Sequence, residues 1–155
     1  MKSWVAGTLK EISYNYFAQA DDGSVHAFGE LVDAYADGVI VSHDGSWLVG
    51  GPYGPDDPAD AIVAPAPTVF MPAAPAVGDH WKPDDLYPLL DETATVVAMG
   101  MRVRVPAGVF ANALEVEETS EVDEDKPETK WYAPDVGLVK TVGRGNALEL
   151  VSRTP

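Results

Sequence analysis

YNYFAQADDGSVHAFGELVDAYADGVIVSHDGSW, residues 14–47, is the stretch that decides the fold. It holds three Asp-Gly pairs: Asp22-Gly23, Asp37-Gly38 and Asp44-Gly45. Asp-Gly between alternating runs is the strongest short-range hairpin signal, because both central residues of a type I′ turn need positive φ. With Asp22-Gly23 as a two-residue loop, Phe17 faces Phe28 and Tyr16 faces Gly29. One face of the ribbon then collects Tyr14, Tyr16, Ala18, Val25, Ala27 and Leu31. The other collects Asn15, Phe17, Gln19, His26, Phe28 and Glu30. An aromatic pair and an aromatic-over-glycine pair fall into step together, so this register is the expected one. The turn at Asp37-Gly38 favours a strand over a helical turn for residues 31–36. The β-branched run at 39–43 suits a strand, which Asp44-Gly45 is expected to turn back into residues 46–49.

Outward from this stretch the chain changes character. Nine of the 13 prolines fall between Pro52 and Pro88. Proline removes ladder donors, so residues 50–90 read as an irregular strap with one short edge strand at 68–71. The strap is expected to lay Val69, Phe70, Met71, Trp81 and Leu86 onto a sheet face beside Trp47. Alternation returns at residues 92–105, where Val97, Met99, Met101, Val103 and Val105 share a face opposite Arg102 and Arg104. The turn around Pro106-Ala107-Gly108 leads into residues 109–119. With Ala107-Gly108 as the loop, or the four residues 106–109, Val105 faces Phe110, and Phe110, Leu114 and Val116 fall on the Met99–Val103 face, whereas a three-residue loop would flip the strand. EETSEVDEDKPE (117–128) reads as a solvated hairpin tip. Residues 130–133, 138–142 and 147–151 complete the strands, with turns at Pro134-Asp135 and Gly145-Asn146. No segment carries a helical period. The whole reads as one all-β domain, residues 1–155, an antiparallel sheet curved into a half-barrel, barrel or sandwich.

Composition narrows the function. The 155 residues include 25 acidic and 10 basic side chains, a net charge of −15, which disfavours DNA, RNA and anionic membranes as partners. The charge is uneven: no Lys or Arg lies between residues 11 and 81, a span that holds 11 of the acids. Cysteine is absent, which removes disulfides, Cys-zinc sites and thiol nucleophiles. His26, His43 and His80 share no ligand spacing, and the Asp pairs lack a calcium-loop pattern, so no metal is expected. There is no G-x-S-x-G, Walker loop or dinucleotide fingerprint, and nothing calls for a cofactor. No run approaches a membrane span.

Five segments carry a resemblance: YFAQADDGSVHAFGE (16–30), DGVIVSHDGSW (37–47), VFMPAAPAVGD (69–79), VRVPAGVFANALEVEET (103–119) and KWYAPDVGLVK (130–140). In this order the chain resembles a family of uncharacterised, usually exported bacterial β-rich proteins. Those are similar to the curved antiparallel sheets of lipoprotein-carrier-like domains. The resemblance implies binding of an apolar ligand or protein partner, and an extracytoplasmic place. The apolar run Trp4-Val5-Ala6 is nevertheless too short for a signal peptide. Family members usually carry a leader and further strands before the segment matching Tyr16, where this chain has only 15 residues. A short form, a fragment, or a homo-oligomer completing its sheet edge to edge is the expectation. Family members often have Cys at the position of Ala113.

The leading expectation is a non-enzymatic module that binds an apolar small molecule or protein partner on a concave sheet face, through Trp47, Trp81, Tyr35 and Phe28. The alternatives are a small cyclase- or isomerase-like barrel enzyme using Glu30 and His43 as acid-base groups, and a purely structural interaction protein.

Overall fold

A computed structural model describes the chain except residues 84, 87–89, 121–126, 144 and 154–155 and the side chains of residues 90 and 146. The described residues are all-β, arranged as two sheets of seven strands, neither closed into a barrel. No helix among them is long and apolar enough to cross a membrane. The chain divides into two compact units, Met1–Ala73 and Ala74–Pro155.

The first unit is built on β2 (Thr8–Gln19) and β3 (Val25–Ala36), preceded by β1 (Lys2–Val5). Asp21-Asp22-Gly23 is a three-residue loop, closed by a hydrogen bond from the Ala20 amide to the Ser24 carbonyl at 2.8 Å. Asp22 Oδ1 accepts from the Ser24 amide at 2.9 Å and from its hydroxyl at 2.6 Å, and Gly23 takes φ +93°. The Ser24 hydroxyl and amide hold the Asp22 carboxyl below its usual range. This capping overrides the two-residue turn expected from Asp22-Gly23. Phe17 therefore pairs with Ala27, not with Phe28, while Tyr16 pairs with Gly29 as expected. The difference is one extra residue in β3, a β-bulge at Phe28, which restores the anticipated register for Tyr14, Asn15 and Tyr16.

The second edge of β3 is shared by three short strands: β4 (Val39–Ser42), β5 (Trp47–Val49) and β7 (Thr68–Met71). Ala36 pairs with Val39 across Asp37-Gly38, whose φ values of 52° and 80° are those of the hairpin turn read from the sequence. Asp44-Gly45, by contrast, does not reverse the chain. Trp47 and Leu48 pair with Glu30 and Gly29, so β5 continues along β3 in the direction of β4. Side chains bridge the gap: Ser46 Oγ accepts from the Val32 amide at 2.9 Å, and His43 Nδ1 donates to the Val32 carbonyl at 3.1 Å. Without them both backbone groups of Val32, which is buried, would lack partners at this break in the ladder.

β6 (Ile62–Ala64) runs parallel to β5. β7 is the edge strand foreseen at 68–71. Both strands lie between prolines, β6 between Pro58 and Pro65 and β7 between Pro67 and Pro72, so no ladder donor is lost inside them. This part of the strap thus extends the sheet rather than draping over it. Phe70 reaches Phe17, ring centroids 4.6 Å apart. Trp47, Leu48, Ala27, Val32, Ala61 and Ala64 are buried.

The second unit is a meander. β8 (His80–Trp81) and β9 (Asp85–Leu86) pair with the long β10 (Leu90–Val105), which is followed in order by β11 (Gly108–Ser120), β12 (Glu128–Ala133), β13 (Gly137–Gly143) and β14 (Asn146–Glu149). Val105 pairs with Gly108 across Pro106-Ala107, so Phe110 faces Val103 rather than the expected Val105; the even count alone matches the reading. The single apolar face expected for β10 is broken, however. Ala94 and Val96 are buried, Val97 and Met99 are exposed, and burial resumes at Val103 and Val105. The β10–β11 register shifts between Val96 and Ala98, between Ala98 and Met101, where Gly100 takes φ +71°, and between Met101 and Val103, where the partner strand holds Asn112 at φ +58°. Val103 and Val105 form one cluster with Ala113, Ala133 and Val139, the alanines leaving room for contact across the intervening strands.

Gly29 makes the closest approach in the first unit. A Cβ there would stand 2.6 Å from both Leu48 Cδ2 and the Trp47 carbonyl oxygen. Gly29→Ala is therefore expected to cost about 1–3 kcal/mol by forcing β5 away from β3. Urea unfolding measures it, and a change under about 0.5 kcal/mol would show that β5 yields freely.

Candidate functional site

The bulge puts Phe28 beside Tyr16, where both line a half-open groove of about 420 Å³. Leu48 and Val49 form its aliphatic floor, and Tyr53, Gly54 and Asp57 its rim. The rim is built locally. Asp57 Oδ2 accepts from the amides of Tyr53 at 2.8 Å and Gly54 at 2.9 Å, and the Tyr53 hydroxyl donates to the Val49 carbonyl. The Tyr53 ring is thus held at both ends although the residue is 74% exposed. Tyr16 and Phe28 are exposed as well, so three aromatic side chains converge on an open apolar surface.

The four residues expected to bind a ligand are not gathered together. Phe28 lines the groove. Trp47, 2% exposed, is the largest fully buried side chain and serves the core of the first unit. Tyr35 is half-buried and pairs with Ile40, away from the groove lining. Trp81 belongs to the second unit, where it pairs with Ala94. Tyr16 and Tyr53 take the places that the sequence reading gave to Trp47 and Tyr35. The signal for Tyr16 was its pairing with Gly29. Tyr53 stands in a Pro-Gly loop with no periodicity to flag it.

The proposed acid-base residues have other partners. Glu30 accepts from Asn15 Nδ2 at 3.2 Å. His43 Nδ1 lies 3.0 Å from Asp33 Oδ1 and 3.1 Å from the Val32 carbonyl. Both are acceptors, so Nδ1 carries the proton and the ring is held in one tautomer by the backbone it completes. His43 also lines a shallow cleft of about 390 Å³ with Ser42, Asp44 and Asp60, yet the Ser42 hydroxyl accepts from the Asp44 amide. His26 shares a 3.0 Å hydrogen bond with Ser24. Among the described residues no three His, Asp or Glu side chains gather as a metal site requires.

One further polar cluster lies in the second unit. Residues 121–126 of the acidic run fall outside the described residues, but Glu118 of the same run is buried rather than solvated. It accepts from Lys130 Nζ and, at 3.4 Å, from the Tyr132 hydroxyl. Glu128 stands 4.0 Å from the same ammonium. Burial works against the Lys130 charge, but Glu118, then Glu92 and Glu128, outweigh it and hold the ammonium above its usual range. Glu92 is pushed up, first by burial and, against the pull of Lys130, by its repulsion from and hydrogen bond to Glu118. The arrangement reads as an internal ion cluster joining β10, β11 and β12, not as a site open to substrate.

No family model, curated protein or solved structure matches the chain.

The Glu92 shift has a definite sign. A carboxyl raised in the folded state contributes stability below its ordinary value and loses it as pH rises through the raised one. Glu92→Gln, which stays neutral, is expected to gain on the parent protein as pH rises. The melting temperatures should be close near about pH 4, and the variant should lead by a few degrees at about pH 8. A difference that does not vary with pH would contradict the assignment.

Proposed function

We propose that this chain is a non-enzymatic binding module whose first unit takes an apolar ligand, or an apolar group of a protein partner, in the groove between Tyr16, Phe28 and Tyr53. One observation carries this reading: three aromatic side chains are left exposed around one concavity, with two of them fixed by backbone devices, the bulge at Phe28 and the Asp57-capped loop at Tyr53. Exposed aromatic surface is costly in water and, where it is concave and preorganised, marks binding. The resemblance to exported curved-sheet proteins favours the same class of function. The enzyme alternative has less support, since His43 Nδ1 is engaged by Val32 and Asp33.

A second reading, association through a sheet edge, rests on β4. Val39, Ile40 and Val41 are all exposed there, and among the described residues β4 pairs with β3 alone.

The groove is tested with a neutral apolar dye, Nile red, followed by its fluorescence. The parent protein is expected to bind it, and Phe28→Ala and Tyr53→Ala to weaken binding about tenfold or more by removing one ring contact each. Circular dichroism confirms that the variants fold. Unchanged binding in both folded variants would remove the groove as the site.

A further inference from the structure

We propose that the groove selects a small organic cation whose charge is surrounded by apolar bulk, of the quaternary-ammonium kind. This rests on the reading that the groove is a binding site and names the chemistry of its occupant.

The lining points that way. The faces of the three rings carry the negative side of the aromatic quadrupole, which attracts a cation brought within about 6 Å. Among the described residues, Asp57 is the single charged one in the lining. Its Oδ2 is tied to two amides, so the negative charge is fixed at the rim and cannot swing away from the rings. Among the described residues no basic side chain lines it. The surrounding chain reinforces this, since residues 11–81 hold 11 acids and no Lys or Arg. Such a field raises the local concentration of cations and repels anions.

The same lining discriminates among cations. Calcium or magnesium demands six or more oxygen ligands, and this surface is mostly carbon. A primary ammonium needs acceptors for three donors. A quaternary ammonium needs none: its methyl groups can rest on the rings and on Leu48 and Val49 while its charge faces Asp57. The groove volume of about 420 Å³ falls in the range of small-molecule sites. A neutral apolar molecule would gain the ring contacts but neither electrostatic contribution.

The test compares choline with 3,3-dimethylbutan-1-ol, its neutral carbon isostere, on the isotopically labelled full chain by amide NMR at constant ionic strength set with sodium chloride. Choline is expected to shift the amides of Phe28, Leu48 and Gly54, with a Kd about fivefold or more below that of the isostere. Asp57→Asn, which keeps an acceptor for the two amides, and Tyr53→Leu should weaken choline and leave the isostere little changed. Equal affinity for the two compounds would overturn the cation preference while leaving the apolar groove in place. Choline shifts scattered over the acidic surface, with none at the groove, would overturn it also. Failure of choline, isostere and Nile red alike to perturb the groove would remove the binding site itself.

Discussion

The first unit depends on one extra residue in β3. β3 must pair with β2 on one edge and, on the other, with β4, β5 and β7 in turn. The three-residue loop capped by Asp22 sets the pairing at the tip of the β2–β3 hairpin one residue out of step with the pairing at its base. The mismatch is absorbed at Phe28. A strand that gains one residue exchanges its faces, so Phe28 leaves the Phe17 side and joins Tyr16. Gly29, next in line, has no side chain to keep β5 away, and Leu48 closes on it and lines the groove with Tyr16 and Phe28. The groove, the β5 contact and the hairpin register are therefore one arrangement rather than three.

The second consequence concerns His43. The sequence reading pairs it with Glu30 as an acid-base group. In the fold it lies at the break between β4 and β5, and its Nδ1–H closes the Val32 carbonyl while Ser46 closes the Val32 amide. A histidine and a serine thus do the work of a missing ladder rung. The Asp33 carboxylate adds a second acceptor to the same proton. This is a physical reason to look for function in shape and surface chemistry, at the groove, before proton transfer.

How legible the molecule was in its sequence depended on the range of the forces involved. The all-β class, the Asp37-Gly38 hairpin, the edge strand at 68–71 and the even-numbered loop after Val105 follow from local chemistry, namely positive φ, proline spacing and the period of two. The failures were bulges. Phe28, Gly100 and Asn112 each shift a register, and alternation counted through them puts Val97 and Met99 on the wrong face. Asp44-Gly45 looked like a hairpin turn because the dipeptide alone does not reveal that β3 still has an unfilled edge. Of the residues singled out for their aromaticity, Phe28 lines the groove, whereas Trp47 lies in the core, which the same property suits. Glu118 was hidden in an acidic run, and its burial is supported by Lys130 and Tyr132 of β12, whose contacts with it the sequence does not show.

Backbone NOEs across β2 and β3 in the free protein test the central point most directly. A bulge at Phe28 predicts cross-strand contacts pairing Phe17 with Ala27 and Tyr16 with Gly29, with no partner for Phe28 in β2 and side-chain NOEs from its ring to Tyr16 and Leu48. Contacts pairing Phe17 with Phe28 and Ala20 with Val25 would mean a regular two-residue hairpin, and the groove described above would not exist.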